Sequence, residues 1–419
     1  MKHTTETTKS NYGTKRQVLL IIICWLAYTI AYLGRYGYNA NINLIIAEFG
    51  ASKADAGLVT SFFFFAYGAG QIINGLLCKF YSKRIMISAS LILSAGINAA
   101  VFFGAPFVSL KFLWLANGIV QSVLWSSLIM VLSENLDKRH LRTAILAMST
   151  TVAAGTFIIY GLSALLVAAG NYKIVFIIAS AAMAITGVIW FALYRTAVRN
   201  KEERVETVKQ PVEKPKGGDT KGFVIALVAI MALFAIIDNL IKDGLHTWVP
   251  TILKDTYGLP DYLSILLTLF LPVLGMLGAT CAVWLNKKIT DYVALCTVFF
   301  AVTAILISLI RMFLDLPYWI PVLASFGLIT LVMHSVNNVI TSMMPLNMRG
   351  KVNPGMMAGV LNGMCYVGST ISSYGLGALS DATGGWDAVF TLFLVCSLAS
   401  AVVGIVYAAI RKIKKRNNS

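Results

Sequence analysis

What most constrains this chain is a run of apolar stretches of about 20 residues or more, each long enough to cross the ~30 Å hydrocarbon core of a bilayer as a helix. Twelve can be placed, at 17–47, 55–78, 84–104, 108–132, 142–168, 172–194, 222–253, 261–285, 290–313, 317–345, 354–380 and 386–410. In lipid every backbone N–H and C=O must be satisfied internally, and the period-2 alternation of a membrane barrel is absent, so the stretches are expected to be α-helices. Hydrophobic residues make up 58% of the chain and charged ones only 12%, about half the charge of an ordinary soluble domain. The expected fold is therefore an all-α membrane protein of twelve transmembrane helices.

The net charge of +16 would point to nucleic acid in a soluble protein. Here the basic residues fall in short connections, and their sidedness carries the information. Of the 34 lysines and arginines, 27 lie on the side of both tails and the long central connection, 5 on the opposite side, and Arg35 and Lys242 within spans. The positive-inside rule then puts both termini in the cytoplasm. The organisation expected is a cytoplasmic tail 1–16, a six-helix bundle 17–194, a polar linker 195–221, a second bundle 222–410 and a tail 411–419. The first apolar stretch is too long for a signal-peptide core and is expected to remain attached. All six cysteines sit in apolar segments, which argues against a disulfide framework or a metal site. There is no phosphate-binding glycine loop, metal-ligand cluster or nucleophile elbow, so neither an enzyme nor an ATP-driven pump is indicated, and no cofactor is expected. The partners expected are the lipid bilayer and a small anion, with no nucleic acid, and the chain is expected to work as a monomer.

The two halves repeat. Phe49-Gly50 and Tyr257-Gly258 stand 208 residues apart, basic pairs Lys83-Arg84 and Lys287-Lys288 close the second helix of each half, and Arg35 shifted by 208 falls beside Lys242. Two pseudo-symmetric six-helix bundles related by an axis along the membrane normal enclose a cavity between their first helices. Arg35 and Lys242 would both face it and clamp an anion, the guanidinium as a planar fork and the ammonium as a point charge. A charge at bilayer depth costs at least ~2.5–3.5 kcal/mol, which makes a functional role the default reading. A structural role, snorkelling or pairing with a carboxylate, stands beside it.

Helical spacing places Tyr28, Tyr32, Tyr38 and Asn39 on the Arg35 face, where they hydrogen-bond the anion or simply pack. Asp238 is one turn before Lys242 and Asp243 is beside it, so either carboxylate could neutralise the lysine or carry a proton. Asp243-Gly244 also marks a candidate helix break. His334 is the one histidine deep in a span by this reading, a proton relay or a satisfied core residue. Amides at Gln71, Asn74, Asn117, Gln121, Asn337, Asn338 and Asn362 serve as glue between helices or touch substrate.

Several stretches together resemble the organophosphate:phosphate antiporter family of the major facilitator superfamily. YLGR at 32–35 is similar to its phosphate-binding arginine motif, and KDGLHTWVPTIL at 242–253 to its seventh-helix motif with Lys242 at the second arginine. FAYG at 65–68 supplies Tyr67. NGIVQSVLWSS at 117–127 supplies Gln121 and Trp125, and NGMCYVGS at 362–369 supplies Tyr366; GGWDAVF follows at 384–390. The resemblance implies two lobes rocking about a midplane site. Substrate-binding roles are expected for Arg35, Lys242, Tyr32, Tyr38, Asn39, Tyr67, Gln121, Trp125 and Tyr366. Charge pairing or proton coupling is expected among Asp238, Asp243 and His334. The chain differs from the family at Lys242, at Thr150 or Thr151 in place of a histidine, at Gln71 in place of a lysine, at Ser126 in place of a proline and at Lys79 in place of an acid.

The expected activity is secondary transport of a small organic anion across the plasma membrane, foremost a phosphorylated metabolite exchanged for inorganic phosphate. A proton-coupled symporter of sugar acids or other carboxylates is the alternative. A transporter-like organophosphate sensor is the alternative of another class. Drug efflux is disfavoured by the basic pair.

Overall fold

The computed structural model describes residues 2–198, 221–314, 316–348 and 354–417. Most of the expected linker 195–221 and the basic connection around Arg349 and Lys351 lie outside those residues. Among the described residues eleven helices are long and apolar enough to cross a membrane. A twelfth, α15 (Pro354–Thr383), has 30 residues and so reaches ~45 Å at 1.5 Å per residue, but its interior is rich in serine and glycine.

The first half holds α1 (Lys2–Ala40), α2 (Ile42–Phe49), α3 (Lys53–Leu77), α4 (Lys83–Phe102), α5 (Phe107–Asn135), α6 (Lys138–Ala168) and α7 (Ile174–Ala197). Within it α1 packs on α6 and α7, α3 on α5, and α4 on α7. The second half holds α8 (Lys221–Tyr257), α9 (Asp261–Thr268), α10 (Phe270–Gly275), α11 (Gly278–Asn286), α12 (Tyr292–Phe313), α13 (Trp319–Asn338), α14 (Met344–Asn347), α15 and α16 (Asp387–Asn417). Here α8 packs on α15, α12 on α16, and α13 on α10 and α11. The two halves meet where α3 lies along α15 and α6 along α9, with lighter contact of α1 and α2 with α8. Large apolar side chains such as Leu76, Phe103, Leu165 and Ile185 stand more than half exposed on the outside, an arrangement that suits acyl chains and not water.

The 208-residue repeat extends to backbone geometry. Gly50 and Gly258 both take left-handed conformations, with φ of +60° and +63°, and both end helices there. A residue with a Cβ pays a steric penalty in that region, which explains glycine at both equivalent sites.

Three spans depart from continuous rods. The first, expected over 17–47, breaks at Asn41, whose amide donates to Gly37 O (2.8 Å) and Ser163 Oγ (3.0 Å). The eighth, expected over 261–285, is divided into α9, α10 and α11. Pro272 has no N–H to continue the ladder, and Gly275 and Gly278 sit against His334, where an added Cβ would lie 3.0 Å from Cε1 and 2.6 Å from Cβ. The tenth widens into a π-helical segment at Val339–Met343. By contrast α8 runs unbroken through Asp243-Gly244, against the expected break. Gly244 serves close packing instead, since a Cβ there would meet Leu376 Cδ1 at 2.5 Å.

Candidate functional site

A cavity of about 390 Å³ lies between the lobes, and both Arg35 and Lys242 line it, with Tyr32, Asp243, His334 and Tyr366. A second, of about 540 Å³, shares Ser149, Asn362 and Tyr366 with the first and holds Tyr28 and Trp125 in its wall. It runs toward the side that carries the chain termini, past Gly75 near the end of α3 and Ala358 near the start of α15.

Arg35 is only 4% exposed. Its guanidinium carbon lies 4.2 Å from the ring centre of Tyr67, 4.4 Å from that of Tyr32 and 5.1 Å from that of Phe63. Ring faces attract a desolvated cation and hold the plane of the fork. Nε donates to Gln121 Oε1 at 3.3 Å, while Nη2 is buried without a hydrogen-bond partner among the described residues. Gln121 is in turn fixed by donating to Ser94 Oγ (2.9 Å) and Ala31 O (3.2 Å). Among the described residues no carboxylate pairs with the guanidinium. A buried cation held this way keeps the donors of Nη2 unengaged among the described residues, in a geometry that suits a planar acceptor.

Lys242 is differently provided for. Nζ donates to Asn239 Oδ1 at 2.7 Å and lies 3.7 Å from Asp243 Oδ1. Of the two carboxylates expected as candidates, Asp243 is the partner, and its Oδ2 accepts a hydrogen bond from the Ser369 hydroxyl. Asp238 is fully buried and does not line the cavity. Its Oδ2 accepts from Asn239 (3.2 Å) and Asn337 (3.3 Å), and Oδ1 has no partner among the described residues.

The structure distributes the remaining candidates over three positions. Tyr32, Tyr366 and His334 face the central cavity, Trp125 faces the adjoining one, and Tyr67 and Gln121 stand behind Arg35. Tyr38 and Asn39 do not line either cavity. The Tyr38 hydroxyl donates to Ala56 O (3.0 Å) and its ring packs 5.1 Å from that of Trp114. Asn39 donates to Thr247 Oγ1 across the lobes (3.2 Å) and accepts from Thr60 (3.0 Å). Residues 39 and 247 are themselves 208 apart, so pseudo-equivalent positions touch. Among the amides, Asn362 donates to Gln71 Oε1 (3.1 Å), a bridge between lobes, and Gln71 donates to the Tyr67 hydroxyl (2.7 Å).

By sequence alone His246 does not count among the histidines deep in a span. It lines the central cavity, its ring centre 6.0 Å from that of His334. Its position at i+4 from Lys242 was the available signal. Thr341 and Ser342, in the widened turn at Val339–Met343, were also missed and line both cavities. The nearby Pro345 was the available hint.

On the side away from the termini the lobes are sealed. Lys53 pairs with Asp255 at 3.0 Å, the Ala54 N–H donates to Asp381 (2.8 Å), and Ser61 donates to Thr370 O (2.7 Å) while accepting from the Tyr374 N–H (2.9 Å). Tyr160 on α6 donates to His246 O (3.0 Å).

Two helical lobes around one buried, basic and aromatic cavity, closed on one side and open toward the other, define a polytopic membrane protein of the two-bundle carrier type. The chain belongs to the Major Facilitator Superfamily, whose family model matches residues 24–354. A solved bacterial homolog of the human lysosomal transporter Spinster, in an inward-facing and unoccupied conformation, superposes with a TM-score of 0.70 at 15% identity, over 94% of this chain and 95% of that one. Among curated proteins, "Membrane sensor protein UhpC" of Escherichia coli (strain K12) is 29% identical over 113 residues, 27% of this chain and 25% of that protein. "Probable sulfoacetate transporter SauU" of Cupriavidus necator is 34% identical over 94 residues, 22% of each chain. The matched stretches thus span about a quarter of the length of these relatives.

Proposed function

We propose that this chain is a secondary transporter of small organic anions in the cell membrane, acting as a monomer with both termini cytoplasmic and moving cargo by alternating access between its two bundles. The observation that carries this reading is Arg35, a buried guanidinium with no carboxylate beside it among the described residues, gripped by aromatic rings and Gln121 and facing a cavity shared by both lobes. An empty site leaves that charge uncompensated in a low-dielectric setting; an arriving anion relieves it. Tyr32 and Tyr366 add hydroxyls, and Lys242 contributes a further donor from the other lobe. The charge asymmetry of 27 basic residues to 5 supports the orientation, so the sealed side is the outer one. The likeness to a probable sulfoacetate transporter supports an anionic cargo.

The motif resemblance supports phosphorylated metabolites exchanged for inorganic phosphate. A second reading, proton-coupled symport of sugar acids or other carboxylates, is favoured by Asp238, whose Oδ1 has no hydrogen-bond partner among the described residues and offers a place for a transported proton. The likeness to a protein named a membrane sensor leaves anion sensing as a use of the same cavity; a sensor would bind without catalysing flux. Uptake into proteoliposomes, preloaded with phosphate or empty, with and without a pH gradient, across a panel of organic anions, separates the three. Arg35→Ala should abolish uptake of whichever anion is accepted. Undiminished uptake by that variant would refute the site.

A further inference from the structure

Among the described residues, the side chains of fixed charge that line the central cavity are Arg35, Lys242 and Asp243. With histidine counted as neutral at pH 7.5, the lining carries a single net positive charge. The compensation is local. Asp243 Oδ1 lies 3.7 Å from Lys242 Nζ, and its other oxygen accepts from Ser369 on α15, so the carboxylate is held from two helices. Among the described residues Arg35 has only neutral partners. Asn239 takes one hydrogen bond from Lys242, and Asp243 at 3.7 Å offsets its charge without taking another. Without Asp243 the same cavity would hold two positive charges and match a dianion.

We infer that Asp243 fixes the valence of the cargo at one: the site takes carboxylate or sulfonate monoanions in preference to phosphate esters and other dianions. This rests on the anion-carrier reading and narrows its substrate class. A second negative group on the cargo, reaching from Arg35 toward the opposite lobe, meets a lysine already screened by a carboxylate. The buried protein walls shield that repulsion less than bulk water would.

The test uses the purified full chain in detergent at pH 7.5, with binding read as heat stabilisation during ligand titration. Two pairs serve as probes: isethionate against sulfoacetate, which are close in size, and glycerate against the larger glycerol 3-phosphate, whose ester carries about −1.5 to −2 charges. In each pair the monoanion should bind at least about tenfold more tightly to the wild type. Asp243→Asn keeps the side-chain shape and an acceptor for Ser369, and should shift the ratio toward the dianion by about tenfold or more; Asp243→Glu should keep the wild-type order. Tighter binding of the dianions to the wild type overturns the inference by itself, even if the Asn variant does not fold. A ratio unchanged in an Asn variant that still binds overturns it too, and both results leave an anion carrier standing. If none of the four anions stabilises the wild type, and Arg35→Lys behaves identically, the anion-carrier reading fails and the inference with it.

Discussion

The seam between α3 and α15 on the sealed side permits a test of alternating access that does not depend on the cargo. Gly57 of α3 lies against the backbone of α15, where an added Cβ would overlap Ser373 O and come within 2.9 Å of Trp248 Cζ2. Gly377 makes the reciprocal approach, its Cβ position 2.6 Å from Lys53 O. Backbone atoms of a packed helix cannot step aside, so Gly57→Ala must push α3 away from α15. Overpacking of this kind costs about 1–3 kcal/mol, and it applies only while the seam is closed. The ~1 kcal/mol that alanine gains over glycine in a helix is common to both states and cancels. The ratio of parted to sealed molecules should therefore rise about five- to 150-fold, at ~1.36 kcal/mol per factor of ten. Spin labels at positions 51 and 382, in a background from which the six cysteines have been removed, would report the separation by pulsed electron resonance. Gly75→Ala is the control, because nothing lies within 4 Å of that Cβ position. A distance distribution that Gly57→Ala leaves unchanged, or that Gly75→Ala changes equally, would refute the reasoning.

Other outcomes follow from the same geometry. Arg35→Lys keeps the charge but loses the bond to Gln121 and the planar fork. With charged hydrogen bonds contributing about 1.5–3 kcal/mol, anion affinity should fall about 10- to 150-fold, measured by equilibrium titration. If symport is the mechanism, Asp238→Asn should abolish uptake driven by a pH gradient while counterflow exchange at equal pH persists. Loss of both together would instead mark Asp238 as structural. Outside the membrane, Asp137 caps α6, and the His140 backbone N–H, foremost among its hydrogen bonds, holds its carboxyl down at about 2. A depressed carboxyl stabilises at every pH above its unfolded value of ~3.9 and ceases to do so as pH falls through the folded value. Asp137→Ala should thus cost about 1 kcal/mol at neutral pH, and the difference in melting temperature from wild type should vanish as pH approaches 2.

The number and placement of the spans were legible because backbone satisfaction in lipid admits few alternatives, and the repeat was legible because Gly50 and Gly258 answer to the same left-handed turn. Faces were harder. Asn39, at i+4 from Arg35, does share its helix face, but it stands ~6 Å nearer the sealed side and is spent on Thr247. Tyr38 is turned into its own bundle against Trp114. Spacing gives rotation about a helix axis; depth relative to the seam depends on how the lobes meet. The choice of Asp243 over Asp238 as partner of Lys242 was likewise hidden, because it turns on Asn337 and Ser369, which come from distant helices. Breaks at Asn41 and around Pro272 leave no mark on hydropathy. The first arises from one amide bonded to Gly37 and Ser163, the second from glycines fitted to His334.

The closure of α3 on α15 by glycines, serines and main-chain groups has a thermal corollary. The heat capacity of a transition follows the apolar area it wets; parting Ser61 from Thr370 and Tyr374 uncovers little of it, and parting Gly57 and Gly377 from the opposite helix adds the edge of the Trp248 ring. The gate's equilibrium should then drift only weakly between cold and warm conditions, even where the stability of each bundle changes steeply.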